Sequence, residues 1–312
     1  MTKTIVVLGA AGRVANEVGR AFLEAGYKVR AVTRNGREVL PGAEHAAADA
    51  ADLAQLERAI KGADFVFNGL NPLYHEWAQK VMPMARNVAT ALRGRGTTQL
   101  FIGNVYPYGS PMSEVLREDT PMRPSNEKGR IRLAMKELFR AEAEQHGTQT
   151  IIIRAGDFFG AGSGTWFDQA LASKLDKGVF TAPGKMDLVH AWAYLPDLAQ
   201  AFVAAANVAD TLPRFEVFNF PGHAVTLEEF KSAIERSTGR PLKTRFMPWW
   251  VLRLVGVFNP IVRELVAMNY LWREPHRLVS DRIEQVLGPL PHTPLDKAVA
   301  QTLQDMRRQK AA

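Results

Sequence analysis

Ten residues near the N-terminus, VVLGAAGRVA (Val6–Ala15), constrain the fold of this chain more than any other feature. The β-branched run from Thr4 to Leu8 predicts a buried strand. Gly9 then marks a sharp turn, and Gly12 a place where the backbone can approach another group closely. Beyond it, Val14, Val18, Ala21, Phe22 and Ala25 share one helical face, which predicts a helix over Gly12–Ala25. Gly26 stands where a left-handed residue closes such a helix. A strand that passes through glycines into a helix leaves unpaired N–H groups and the positive dipole end aimed at one point. That geometry favours a pyrophosphate. The spacing Gly-x-x-Gly-x-x-Ala is loose, but its position between strand and helix supplies the confirming context. Gly9, Ala11, Gly12, Arg13 and Val14 are therefore candidate nucleotide-binding residues.

The same rhythm recurs. Strands are predicted at Lys28–Thr33, His45–Ala48, Asp64–Asn68, Gln99–Gly103 and Gln149–Arg154. Helices are predicted after Asp52 and over Leu73–Leu92 and Asn126–Gln145. Alternation of helices with short, continuously apolar strands predicts a parallel sheet covered on both faces. Right-handed crossovers make it an α/β, doubly wound (Rossmann) sheet, with ligands beyond the carboxyl ends of its strands. After about Ala155 the rhythm breaks into short strands (Phe215–Asn219) and helices (Thr226–Ser237, Pro248–Trp272, Pro294–Arg307). Residues 1–155 are read as the dinucleotide-binding domain, its sheet completed by a later segment at about 187–220. Residues 156–312 are read mostly as a smaller α+β substrate-binding region.

The second strand ends in AVTRNGR, with Thr33 and Arg34 where an NAD-preferring site places an acid for the ribose 2′-hydroxyl. A cation there suits a 2′-phosphate, so the expected cofactor is NADP, with NAD as the alternative. Arg37 and Arg13 could reach the same group. Asp49 has two readings: an acceptor for the adenine amino group, or the cap of the next helix, for which Asp52 is the better placed.

Composition removes other chemistries. The chain has no cysteine, which excludes disulfides, thiolate metal sites and a cysteine nucleophile. The seven histidines show no metal-ligand spacing, so no metal is expected. Ser163 in GAGSGTW has Ala161 two residues before it and Thr165 two after, where a nucleophile elbow needs glycines, and APGKM (Ala182–Met186) lacks the rest of a phosphate loop. The formal charge is +7, but Lys and Arg are spread along 312 residues, and Arg307-Arg308-Gln309-Lys310 is the only dense terminal cluster. No nucleic-acid motif appears, and no nucleic-acid partner is expected. The N-terminal apolar run is too short for a secretion signal, and a cytoplasmic protein is expected. The longest apolar region, FMPWWVLRLVGVFNPIVRELVAMNYLW, is interrupted by Arg253, Pro260, Arg263 and Glu264. It is read as two buried or groove-lining helices rather than a membrane span, the alternative being helices lying in a membrane surface.

Several stretches resemble one family. They are the glycine motif, Asp49 in AADAADL, the strand ADFVFNGLN, Tyr108-Gly109 after the fifth strand, IIIRAGDFFGAG (Ile151–Gly162), YLPDLAQAF (Tyr194–Phe202) and the late segment VSDRIEQVLGPLPHTPLDKAVAQTL. Together they are similar to an atypical extended short-chain dehydrogenase/reductase, within the NAD-dependent epimerase/dehydratase group. The resemblance covers nearly the whole chain. It implies cofactor contacts at Gly69, Leu70, Ala155, Asp157 and Phe158, and a homodimer through the helices Leu73–Leu92 and Asn126–Gln145. It also implies a Ser or Thr after strand five and a Tyr-x-x-x-Lys on the next long helix. Here Asn104 takes the Ser position, and the best register sets Lys128 and Arg132 where Tyr and Lys belong.

The segment NEKGRIRLAMKEL (Asn126–Leu138) thus opens a helix with Lys128, Arg130 and Arg132, against the dipole. Lys128 and Arg132 share one face and call for an anion. The candidates are cofactor, substrate, Asp157, or the local Glu127 and Glu137. Asn104, Lys128 and Arg132 are the candidate catalytic residues. Arg132 is a permanent cation and doubles as a ribose or phosphate holder. Tyr106 and Tyr108 are either displaced proton donors or packing residues, and Asp197 is expected to cap or buttress a helix. Two functions follow: an NADP-dependent oxidoreductase or epimerase-like enzyme acting on a small apolar or anionic molecule, or a catalytically silent NADP-binding sensor or scaffold.

Overall fold

The N-terminal apolar run forms β1 (Thr4–Leu8), whose Ile5, Val6 and Val7 have no exposed surface. The computed structural model describes residues 2–161 and 164–311. Gly162 and Ser163, singled out above at the end of IIIRAGDFFGAG and in GAGSGTW, lie outside the described residues.

After β1 come α1 (Arg13–Glu24), β2 (Lys28–Thr33), β3 (Glu44–Ala47), α2 (Leu53–Ala59), β4 (Phe65–Asn68), α3 (Trp77–Leu92) and β5 (Thr98–Gly103). The chain continues through β6 (Val115–Leu116), α4 (Glu127–His146), β7 (Thr150–Arg154), β8 (Asp157–Phe159), β9 (Val179–Ala182), β10 (Val189–Tyr194) and α5 (Leu195–Asn207). Next are β11 (Phe215–Asn219), β12 (His223–Thr226), α6 (Leu227–Thr238), β13 (Lys243–Phe246), α7 (Trp249–Phe258) and α8 (Pro260–Ala267). β14 (Arg277–Leu278), α9 (Ile283–Leu287) and α10 (Leu295–Ala311) complete it.

Seven strands form one sheet in the order β11-β7-β5-β4-β1-β2-β3, and every pair is parallel. The order reverses at β1, between β2 and β4, which is the switch point of a doubly wound sheet. Helices α1 and α5 pack over one face, where Phe67 and Phe202 meet edge to face at 5.0 Å. Helices α2, α3 and α4 cover the other. Burial on both sides is the reason these strands read as continuous apolar runs. The third strand sits one residue earlier than expected, at Glu44–Ala47, within the ordinary uncertainty of element ends.

The later half adds a three-stranded sheet, β12-β10-β8, and two strand pairs, β13-β9 and β14-β6. Phe159, Phe167, Phe180, Trp192 and Phe230 form its core. Strand β11 returns to the main sheet and pairs with β7. Asp197 of α5 accepts from the backbone N–H and hydroxyl of Thr293, at 2.7 and 2.8 Å. It buttresses the chain entering α10.

One expectation needs correction. The apolar region after Arg245 forms α7, α8 and the 3-10 turn Asn269–Trp272, and Trp272 is buried. The two helices are not buried, however: Trp250, Leu254 and Phe258 stand 69%, 62% and 91% exposed. Helix α7 packs mainly on α8, and its outer face is left uncovered among the described residues. None of the described helices is long and apolar enough to cross a membrane.

Candidate active site

The carboxyl ends of β1, β2, β3 and β4 deliver their following residues to one cleft of about 860 Å³, a volume typical of a small-molecule or cofactor site. Its walls include Gly9, Ala11, Gly12, Arg13 and Val14 from the first turn, and Thr33 and Arg34 from the end of β2. They also include Asp49 after β3, Gly69 and Leu70 after β4, and Asp157 and Phe158 of β8. A smaller chamber of about 110 Å³ shares Val14, Gly69, Leu70, Tyr106, Asp157 and Phe158, and adds Asn104, Arg132 and Ala155. Most of the sequence-predicted positions therefore come together; Arg37, Tyr108 and Lys128 line neither chamber.

The turn is built for close approach. Gly9 has φ of 72°, and a Cβ there would stand 3.0 Å from the Gly69 carbonyl oxygen. A Cβ at Gly69 would fall 2.7 Å from the Ala15 Cβ. Gly12 precedes α1 with no side-chain cap, so the first N–H groups of the helix face the cleft unpaired. Arg13 donates to Asp168 at 3.3 Å, and its Nη2 is buried without a partner. Burial lowers its pKa, against the opposing pull of Asp168, yet an arginine stays charged. Asp168 also accepts from the Gly164 and Thr165 N–H groups at 2.6 and 2.7 Å, which ties the 164–168 segment over the cleft. A free helix N-terminus, a cation with an unpaired donor and two glycines at van der Waals limits fit a diphosphate group.

At the β2 end Thr33 is buried and Arg34 exposed, with no ion-pair partner for Arg34 among the described residues. The two readings of Asp49 separate. Asp52 caps α2, accepting from Gln55 N–H at 3.1 Å, while Asp49 accepts from Ala51 N–H at 2.9 Å and lines the cleft.

The opposite end is polar and aromatic. The hydroxyls of Tyr74 and Tyr106 lie 2.7 Å apart. Burial raises both phenol pKa values, Tyr106 the more strongly, so both keep their protons at neutral pH. Asn104 accepts from the Tyr106 N–H at 3.2 Å, which fixes the turn after β5. Tyr108 is a packing residue: Arg154 donates to its hydroxyl at 2.6 Å in the core. Arg132 lies 4.7 Å over the Trp77 ring and donates to Asn71 at 3.2 Å, with its Nε buried and unpartnered. Burial lowers its pKa.

Two anion assignments are settled by geometry. Lys128 is buried and ion-paired with Glu264 of α8, its Nζ 5.3 Å from the Tyr74 ring centroid. It lines neither chamber. Its counter-ion is thus Glu264, and not Asp157, Glu127 or Glu137. Asp157 accepts from His190 Nε2 at 2.8 Å, and His190 stacks on Trp272 with centroids 4.3 Å apart. The helix that begins with cations also has its own cap, Asn126, which accepts from Gly129 N–H at 2.9 Å.

Sequence reasoning missed Tyr74, His190, Asp168 and Glu264. Each comes from a segment distant in sequence from its partner. The only local hint was a polar residue, His190, within the apolar strand VHAWAY. No group of three or more His, Cys, Asp or Glu among the described residues could hold a metal ion.

The doubly wound parallel sheet and the glycine turn at its switch point define a Rossmann-type fold. The NmrA-like family profile matches residues 1–308, and the chain belongs to that family. Solved structures with the same fold include a UDP-glucose 4-epimerase from Brucella ovis in complex with NAD. It is 17% identical over 96% of this chain and 97% of that one, with a TM-score of 0.77. Another is the UDP-glucose 4-epimerase from Bifidobacterium longum in complex with NAD+ and UDP, at 18% identity, 99% of each chain and a TM-score of 0.75. The enzyme WbmH of Bordetella bronchiseptica, in complex with NAD+, is 19% identical over 99% of each chain, with a TM-score of 0.74. No curated protein matches the sequence.

Proposed function

We propose that this chain is an NADP-dependent oxidoreductase, epimerase-like in architecture, that acts on a small carbonyl or alcohol compound with an apolar body or an anionic group. One observation carries the reading. The cleft runs from Arg34, past the open N-terminus of α1, to Tyr106 and Asp157. The solved relatives bound to NAD have the same fold, which supports a nicotinamide dinucleotide. The exposed, unpaired Arg34 supports the 2′-phosphate form.

A bound nicotinamide dinucleotide supplies hydride donation or acceptance. In this reading Thr33 and Arg34 hold the 2′-phosphate, Asp49 the adenine, and the α1 N–H groups with Arg13 the diphosphate. Gly69, Leu70, Ala155 and Phe158 shape the inner wall. Asn104 fixes the turn that carries Tyr106. Tyr106, hydrogen-bonded to Tyr74, holds the proton that a substrate oxygen takes up. Arg132 supplies positive charge beside it. Asp157, held by His190 behind it, borders the same chamber. Lys128 holds α8 in place and stays out of proton transfer. Residues 1–155 with the returning strand β11 form the dinucleotide unit, and most of 156–312 the substrate side. A homodimer through α3 and α4 and a cytoplasmic location complete the proposal.

The test is a fluorescence titration with NADPH and NADH, followed by a carbonyl-substrate screen for hydride transfer. Binding of neither dinucleotide would remove the proposal. A second reading, a silent NADP-binding sensor, is favoured by the capture of Lys128 by Glu264 and by a chain whose six tyrosines include no Tyr-x-x-x-Lys. Tight NADPH binding with no turnover on any carbonyl substrate would select it.

A further inference from the structure

The α7–α8 hairpin carries an apolar stripe on the wrong side. Trp250, Leu254 and Val257 recur at i, i+4 and i+7 on one face of α7, the spacing that normally faces a core. Here they are 69%, 62% and 67% exposed. Phe258, at the corner between the helices, is 91% exposed, and Ile261 and Phe246 are 60% and 64% exposed. A contiguous exposed apolar patch of this kind marks an interaction surface.

The hairpin is nonetheless ordered from within. Trp249 donates its indole N–H to the Pro183 carbonyl at 2.7 Å. Asn259 accepts from the N–H groups of Ile261 and Val262 at 3.0 and 3.2 Å and starts α8. Gly256 lets α8 approach so closely that a Cβ there would stand 3.1 Å from the Arg263 Cα. The stripe is therefore held rigidly outward.

Charge selects the occupant. Residues 240–268 contain five cations (Arg240, Lys243, Arg245, Arg253 and Arg263) and one acid, Glu264. That acid is engaged by Lys128. Aromatic and aliphatic side chains bordered by cations, with no free acid between them, match an interfacial helix on anionic lipid. The surface also adjoins the cleft. Helix α8 packs on the turn Tyr74–Glu76, and the 63% exposed Leu73 lines the cleft's mouth.

We propose that the α7–α8 hairpin docks this protein on an anionic bilayer surface, with Trp250, Leu254, Val257 and Phe258 entering the acyl boundary and Arg253 and Arg263 meeting the headgroups. The test is co-sedimentation of the full chain with vesicles of phosphatidylcholine mixed with phosphatidylglycerol, against phosphatidylcholine alone. The anionic vesicles are expected to carry down at least several-fold more protein, less of it as salt rises, with a blue shift of tryptophan emission. Trp250→Ser/Phe258→Ser is expected to stay in the supernatant while melting at the wild-type temperature. Arg253→Gln is expected to weaken binding to the anionic vesicles alone. Failure of the wild type to bind either vesicle, or equal binding to both, overturns the proposal. So does a wild-type dimer in sedimentation velocity that the double substitution converts to monomer, because the stripe would then be covered by a second copy.

Discussion

Glu264 of α8 holds the ammonium of Lys128, which α4 presents from its first turn. The pair joins the helix that borders the candidate active site to the hairpin beside its mouth. Lys128 has 5% of its side chain exposed and Glu264 21%. Removing one partner leaves a charge with little solvent to replace it. Lys128→Ala is expected to cost about 3 kcal/mol of stability, as typical for breaking a buried pair. Lys128→Met/Glu264→Leu is expected to recover much of it. Urea denaturation of Lys128→Met, Glu264→Leu and the double variant closes the cycle, and additive losses would show that the ions do not interact.

The chemistry is expected to separate from that pair. Tyr106→Phe deletes the hydroxyl 2.7 Å from Tyr74 and should lower kcat by about 10²–10⁴, the usual worth of a positioned acid. Its NADPH affinity should not change. Lys128→Ala should leave kcat within a few-fold once stability is allowed for. Steady-state kinetics on a substrate from the carbonyl screen decide between them. Full activity in Tyr106→Phe would remove the phenol from proton transfer.

Arg34 should set the choice of dinucleotide. A charge-assisted hydrogen bond is worth about 1.5–3 kcal/mol, so Arg34→Asp should weaken NADPH by about 10- to 100-fold. NADH should change little or bind better. Equal losses for both, measured by fluorescence titration, would end the preference argument.

Stability should fall on mild acidification. Burial lowers the His223 pKa from 6.5 to about 4, and that of His276 from 6.5 to about 3. Both imidazoles fold neutral, while the unfolded chain takes up protons as soon as pH drops through 6.5. Their contribution is thus fully present above pH 6.5 and declines as pH falls towards 4 and 3. For His223 the span corresponds to about 3 kcal/mol. Melting temperatures across that window should fall as pH falls, and less steeply for His223→Gln. A flat profile would contradict the neutral burial of these rings.

The order of elements, the parallel doubly wound sheet and the dinucleotide turn were determined by the sequence itself. Their causes are local: continuous apolar runs, period-3.6 apolar patterns, and glycines where the backbone needs φ near 72°, as at Gly9. The residues just past each strand end were legible for the same reason, since a parallel sheet brings its carboxyl ends together. Tertiary structure alone decided the partners. Glu264 is 136 positions from Lys128, Asp168 155 from Arg13, and His190 33 from Asp157. Tyr74 meets Tyr106 across 32. No periodicity encodes such pairings, because each depends on how separate segments pack. The outer face of α7 shows the same division. Its spacing is that of a core helix, and only the packed fold reveals that no other described part of the chain covers it.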